Sequence, residues 1–206
     1  YYTLDGSEPT TESARYTAPI EFSSNCTFKA KGIGERGETR TLTEEIYFNK
    51  ATAKPITLLQ SIHKNYTFEG PITLVNGLKG SPNYRTGRWL GFSENDFEAV
   101  IDLQEDTEIN RVKFDTSVDK SDWVFDISGI KISVSDDGEN YRTLLDREHP
   151  SLTDEDPNII YNHVFDLEPT TTRFVKIKAL VEHSIPAWHP AVGKPAWIFI
   201  DEIVIE

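Results

Sequence analysis

With 206 residues, of which 37% are hydrophobic, 11% aromatic and 27% charged, the chain has the makeup of a folded protein with room for one large or two small domains. A formal charge of −13 and the lack of any basic cluster exclude partners recognised through phosphate, namely nucleic acid and anionic membrane surfaces. The single cysteine, Cys26, excludes an intrachain disulfide, and no apolar run reaches the ~20 residues of a transmembrane segment.

Residues 1–49 read as short strands between turns: Tyr1–Leu4, Arg15–Ile20, Cys26–Ile33 and Leu42–Phe48. Asp5-Gly6 suits a tight turn, and Pro9 fixes another. Four strands in so short a span make half of a small Ig-like or fibronectin-like β-sandwich, incomplete at its N-terminus. The chain has no Met and opens directly in strand-like sequence, so we expect it to be a piece of a longer protein. The polar run Asn49–Lys54, followed by Pro55, sets the expected boundary between domains at 1–50 and 55–206.

The second part alternates with period two over Glu98–Leu103, Ile109–Thr116, Gly129–Ser135, Tyr141–Leu145, Asn162–Leu167, Phe174–Val181 and Ile198–Glu206. Ile130 to Val134 is apolar at every second place and runs into Asp136-Asp137-Gly138, a hairpin signal. The fold class is therefore all-β, an antiparallel sandwich or jelly roll with no helix beyond two turns.

Recognition chemistry gathers in Leu74–Phe92, where Gly77 and Gly80 allow unusual backbone beside a Tyr, two Arg and a Trp. A neutral sugar is held by an aromatic face and a few planar or charged donors, and three loops offer them. The first carries Asn83, Tyr84, Arg85 and Arg88; the second Asp122 and Trp123; the third His183, Trp188 and His189, with Pro186 and Pro190 bracketing the last two. Trp89 and Trp197 lead into strand-like residues and read as core. Catalytic residues are not expected: the acids crowd into turns such as Glu94–Asp96 and Asp154–Asp156. His63, His149, His163, His183 and His189 lie scattered along the chain with no zinc-like spacing.

The first part, through Tyr1–Phe22 and the later Thr27–Gly32, resembles the small sandwich module that follows the catalytic barrel of bacterial chitobiases and β-N-acetylhexosaminidases. Leu74–Gly77, Trp89, Val134–Tyr141, Arg173–Ile177 and Asp201–Ile203 resemble the galactose-binding-like (discoidin, coagulation-factor-type) domains, several of which bind carbohydrate. Gly87–Phe92, Pro186–Pro190 and Ala196–Ile203 look like the version at the C-terminus of family 20 hexosaminidases.

These resemblances imply a non-catalytic fragment of a β-N-acetylhexosaminidase, bacterial and secreted, periplasmic or cell-surface. Its partners would be its parent catalytic domain and a glycan bearing N-acetylhexosamine or galactose, met at Tyr84, Arg85, Arg88, Trp123, Trp188 and His189. The competing expectation is a structural module that braces the barrel or mediates dimerisation. The discoidin resemblance also implies one structural calcium. Carried over, its ligands fall on Asn76 and the Ser81 hydroxyl, the carbonyls of Leu74 and Leu78, and Glu202. Asn76 stands where the family usually has Asp, leaving one charged ligand. Alternation along Ile198–Glu206 places Glu202 on the face of Ile200 and Val204, with Asp201 on the other.

Overall fold

Glu98–Leu103 and Ile109–Thr116, two strands by their sequence pattern, are one: the computed structural model, which describes all 206 residues, runs a single strand from Phe97 to Ser117 (β8). Its inward positions change phase along the way. Phe97, Ala99, Ile101, Leu103 and, beyond an exposed stretch, Ile109 are buried, then Val112, Phe114 and Thr116. Gln104, with φ at +72°, marks the exposed bend between the two halves. Its partner Ile160–Leu180 (β11) likewise joins the expected Asn162–Leu167 and Phe174–Val181, with register shifts between Asp166 and Thr170 and between Thr172 and Phe174. A bent pair of long strands thus belongs to both layers of a jelly roll.

Along one half lie Ile56–Leu58 (β6), Gly129–Ser135 (β9) and Arg142–Glu148 (β10), in the order β10-β9-β11-β8 with β6 on β8. The other half of β8 pairs with Trp197–Ile200 (β12), which pairs with Leu90–Ser93 (β7), and with Val204–Ile205 (β13). Phe97, Ile101, Phe114, Ile132, Ile177 and Ile200 fill the space between, all at most 1% exposed. Burying such a side chain contributes about 1.5–3 kcal/mol, so this core is what holds the loops in place. Helices are confined to short 3₁₀ turns at Lys64–Tyr66, Gly70–Leu74 and Lys120–Asp122.

The last strand does not run unbroken from Ile198 to Glu206. Asp201 interrupts it because both carboxylate oxygens accept backbone amides, Oδ1 from Asp115 at 2.9 Å and Oδ2 from Gly80 at 2.8 Å, while the Ile203 amide turns to the Leu74 carbonyl at 2.7 Å. The expected alternation stops at this break, and Asp201 and Glu202 are both fully buried.

By contacts the chain forms two compact units: 1–48 with 77–79, and 49–76 with 80–206. The polar run Asn49–Lys54 is built into the second. Asn49 Oδ1 accepts the amides of Ala51 and Ile205, the Lys50 amide donates to the Ile205 carbonyl, and Ala51 is fully buried.

The first unit holds an antiparallel sheet of Tyr2–Thr3 (β1), Cys26–Ala30 (β2) and Leu42–Ile46 (β5), and a small hairpin of Ile33–Gly34 (β3) and Gly37–Glu38 (β4). The expected strand Arg15–Ile20 does not form; one bridge, Tyr2 to Ala14, is all that pairs there. Pro19 removes a donor, and Tyr16 is 63% exposed instead of packed on a neighbour. Pro9 and Ile46 are the buried apolar side chains of residues 1–48, so this sheet has almost no core.

Candidate functional site

The site is built around the tip that follows β8. Lys120–Asp122 makes one 3₁₀ turn, Trp123 takes a left-handed φ of +64°, and Asp119 and Val124 close the tip with two backbone hydrogen bonds, 3.0 and 3.1 Å. A left-handed residue other than glycine costs energy, and here it turns the Trp123 side chain outward, 41% exposed. The neighbouring β12 fixes this tip through Trp197, whose amide donates to the Trp123 carbonyl at 2.8 Å and whose carbonyl accepts the Phe125 amide at 2.9 Å.

The first sequence-predicted loop docks on Asp122. The Tyr84 hydroxyl and an Arg85 guanidinium nitrogen both donate to Asp122 Oδ2 at 2.6 Å, and the guanidinium lies 4.6 Å from the Tyr84 ring centre. Burial, reinforced by the Asp122 hydrogen bond, pushes the Tyr84 phenol well above its usual range, so it stays neutral and keeps donating. The same bond, with Arg85 second, holds Asp122 below the usual carboxylate range. Tyr84 itself is 4% exposed and packs on Phe199 with ring centres 4.4 Å apart. Arg88 sits half-buried on this loop.

The third loop docks on Lys120. His189 Nδ1 accepts the Ala191 amide, so Nε2 carries the proton and donates to the Lys120 carbonyl at 3.0 Å. Lys120 Nζ lies 5.4 Å from the Trp188 ring centre and donates to the carbonyls of Thr153, Asp154 and Asp156. Trp188 turns inward, its Nε1 donating to the Leu152 carbonyl at 3.1 Å and its ring resting 5.9 Å from that of Phe125.

Tyr84, Arg85, Trp123, Trp188 and His189, five of the six expected sugar contacts, are therefore tied to one tip, by roles that the sequence did not separate. Tyr84 and Trp188 are supports; Trp123 and Arg85 are exposed. His183 belongs to another cluster, with Asp96 at 3.0 Å. Lys120, which joins the second and third loops, went unrecognised because a lone lysine before Ser-Asp carries no pattern. Trp89 is fully buried as read from sequence, whereas Trp197 is half-buried and edges a hollow of about 420 Å³ with His63, Lys64 and Asn95.

The expected calcium ligands divide. Leu74 is drawn to the last strand by its bond to Ile203, Glu202 is fully buried, and Asn76 is half-buried at the loop. The Ser81 hydroxyl sits 3.1 Å from that of Thr86, and its carbonyl accepts Trp89 Nε1. Leu78 falls in the first unit. Gly80 is required here, since a Cβ would stand 2.2 Å from the Trp89 ring. The histidines are less scattered than their spacing suggests, for His149 and His163 meet Asp126.

Residues 60–192 match the family model described as F5/8 type C domain, and residues 1–47 the one described as Fn3 associated. Similar solved structures include two from Streptococcus pneumoniae. One is a fucose-binding module at 19% identity, covering 77% of this chain and 94% of that one with a TM-score of 0.50. The other is the fucose-binding module SpX-3, at 17% identity, 77% and 97% coverage and 0.50. Chitosan-binding module 1 of a chitosanase/glucanase from Paenibacillus sp. IK-5 matches at 15% identity, 78% and 99% coverage and 0.49. The two S. pneumoniae likenesses support the jelly-roll fold. No curated protein matches the chain.

Proposed function

Since the chain belongs to the F5/8 type C domain family, we propose that its second unit is a non-catalytic carbohydrate-binding module with its contact surface at the Trp123 tip. The observation that carries this is an exposed tryptophan held at a strained φ directly after Asp122, which fixes an exposed guanidinium. Such a ring stacks under the C–H face of a sugar, and the guanidinium edge donates to its hydroxyls. The ligand class is a neutral glycan with N-acetylhexosamine or galactose-like units, and the parent is a secreted, periplasmic or cell-surface β-N-acetylhexosaminidase of the family 20 type. Support for the parent comes from the sequence resemblances of both units.

One structural calcium in this reading uses Glu202, Asn76, the Ser81 hydroxyl and the Leu74 carbonyl, an oxygen set that suits a hard cation and locks the loop to the last strand. Calcium titration of metal-stripped protein, followed by thermal melting, tests it: no shift at millimolar calcium removes the ion.

Glycan-array screening of the full chain, followed by calorimetry, tests the sugar site. Binding is expected to fall by roughly tenfold or more, about 1.4 kcal/mol, in Trp123→Gly. Equal affinity in that variant would remove the tip from the site, and no binder at millimolar glycan would remove the function. The burial of Tyr84 and the inward turn of Trp188 favour a second reading, a module that braces the parent enzyme. Bracing predicts that truncating the parent lowers its stability on soluble substrate, whereas binding predicts a loss confined to polymeric glycan.

A further inference from the structure

Three side chains far apart in sequence converge under the tip. Asp126 follows it, His163 lies on β11 opposite Phe114 of β8, and His149 comes directly after β10, its amide bonded to the Ser128 carbonyl at 2.9 Å. One donor atom from each of the three lies within 4.8 Å of the other two.

The hydrogen bonding of Asp126 is lopsided. Oδ1 accepts three bonds, from Thr116 Oγ1 at 2.6 Å, the Ile127 amide at 2.8 Å and His163 Nε2 at 2.8 Å. Oδ2 accepts none, although the Asp126 side chain is only 1% exposed. A buried carboxylate oxygen without a partner is costly, and a well-packed protein rarely leaves one unless something else fills the place. Burial alone would raise the Asp126 carboxyl, but the His163 contact, Thr116 and the Ile127 amide outweigh it and keep the group ionised. Phe114 and Phe165 wall the site, their rings 5.3 and 6.0 Å from that of His163.

We propose that Asp126, His149 and His163 form a binding site for a divalent transition-metal ion of the zinc type. Two imidazoles and one carboxylate are the donors such an ion prefers, whereas calcium and magnesium take oxygen. Metal–donor bonds of about 2.0–2.1 Å set tetrahedral ligands roughly 3.3 Å apart, so binding draws the half-buried His149 side chain inward from the end of β10. The ion takes the unused Asp126 Oδ2, and His163 shifts to the tautomer protonated at Nδ1, so that Nε2 gives up its proton and its hydrogen bond to Oδ1 for the metal. A fourth position stays open. The site sits between β8, β11 and the end of β10, apart from the loop around Glu202, and it does not depend on the glycan reading.

The metal-stripped 206-residue chain is titrated with Zn²⁺ by calorimetry and with Co²⁺ by visible absorption. The expected result is one ion per chain, a d–d spectrum of nitrogen-ligated tetrahedral cobalt, and affinity lowered by roughly tenfold or more in His149→Gln, with the fold intact by circular dichroism. His183→Gln serves as the control for surface histidines and should bind as the parent chain does. Because variants at buried Asp126 and His163 risk unfolding, the test rests on His149 and on the cobalt spectrum. Absence of Zn²⁺ binding at stoichiometric concentration, or full affinity and an unchanged spectrum in His149→Gln, overturns the site.

Discussion

Tyr84 donates to Asp122 Oδ2 at 2.6 Å, and this bond together with Arg85 is what ties loop 81–89 to the Trp123 tip. Tyr84→Phe keeps the ring on Phe199 and deletes only the hydroxyl. A bond to an ionised acceptor is worth about 1.5–3 kcal/mol when lost from a buried donor, so the variant should melt lower by a corresponding margin. Burial and Asp122 raise the phenol's pKa in the folded state, so its contribution is complete below the unfolded tyrosine pKa of about 10 and fades as pH rises beyond it. Chemical denaturation from pH 8 to 11 reads this: stability should fall over the alkaline range and fall less in Tyr84→Phe.

His163 and Asp126 make a buried pair with the opposite pH sign. The folded-state pKa of Asp126 is depressed, so its stabilisation is present above the unfolded carboxylate value of about 3.9 and is lost as pH drops through the folded one. His163→Ala removes the partner and leaves the carboxylate buried with only Thr116 and the Ile127 amide. A cost of about 3–5 kcal/mol is expected at neutral pH, narrowing as acid protonates Asp126. Urea midpoints measured between pH 7 and pH 3 check this, and a gap that stays constant with pH would refute the pair.

How much of this was legible in sequence depends on distance along the chain. Period-two patterns at Ile130–Val134 and Phe174–Val181 mark strands because the inside and outside of a sheet select different residues. They missed that β8 and β11 each run through their bends, since Gln104–Glu108 and Glu168–Arg173 look like loops when read alone. Arg15–Ile20 has strand composition but no strand to pair with, and pairing is a tertiary fact. The loops carrying Tyr84, Trp123 and Trp188 were found by residue type. Which rings face solvent was not, because it depends on φ at Trp123 and on the Leu152 carbonyl 36 residues from Trp188. Asp126, His149 and His163 carry no spacing signal, because they come from the tip after β8, the end of β10 and the middle of β11, which only the folded sheet brings together.

Gly80 gives a steric test of the same architecture. A methyl there would stand 2.2 Å from Trp89, whose ring is fully buried and fixed by its bond to the Ser81 carbonyl. Gly80→Ala must displace that ring or the amide that Asp201 holds, at a cost of about 3 kcal/mol. Gly34→Ala, in open space within the first unit, should change the melting temperature little. Comparable melting of the two variants would show that the loop yields easily and does not hold the last strand.

Trp123→Gly separates stability from recognition. Its φ of +64° suits glycine, and the side chain is 41% exposed, so removing it relieves backbone strain of about 1 kcal/mol and exposes little core. Glycine's extra freedom in the unfolded chain offsets part of that gain, and the net change in stability should lie within about 1 kcal/mol of zero. Trp123→Ala keeps the strain and loses the ring, so it should be the less stable of the two. A large fall in melting temperature for Trp123→Gly would mean that the ring packs as a structural element, and the tip would then be a support like Tyr84 and Trp188.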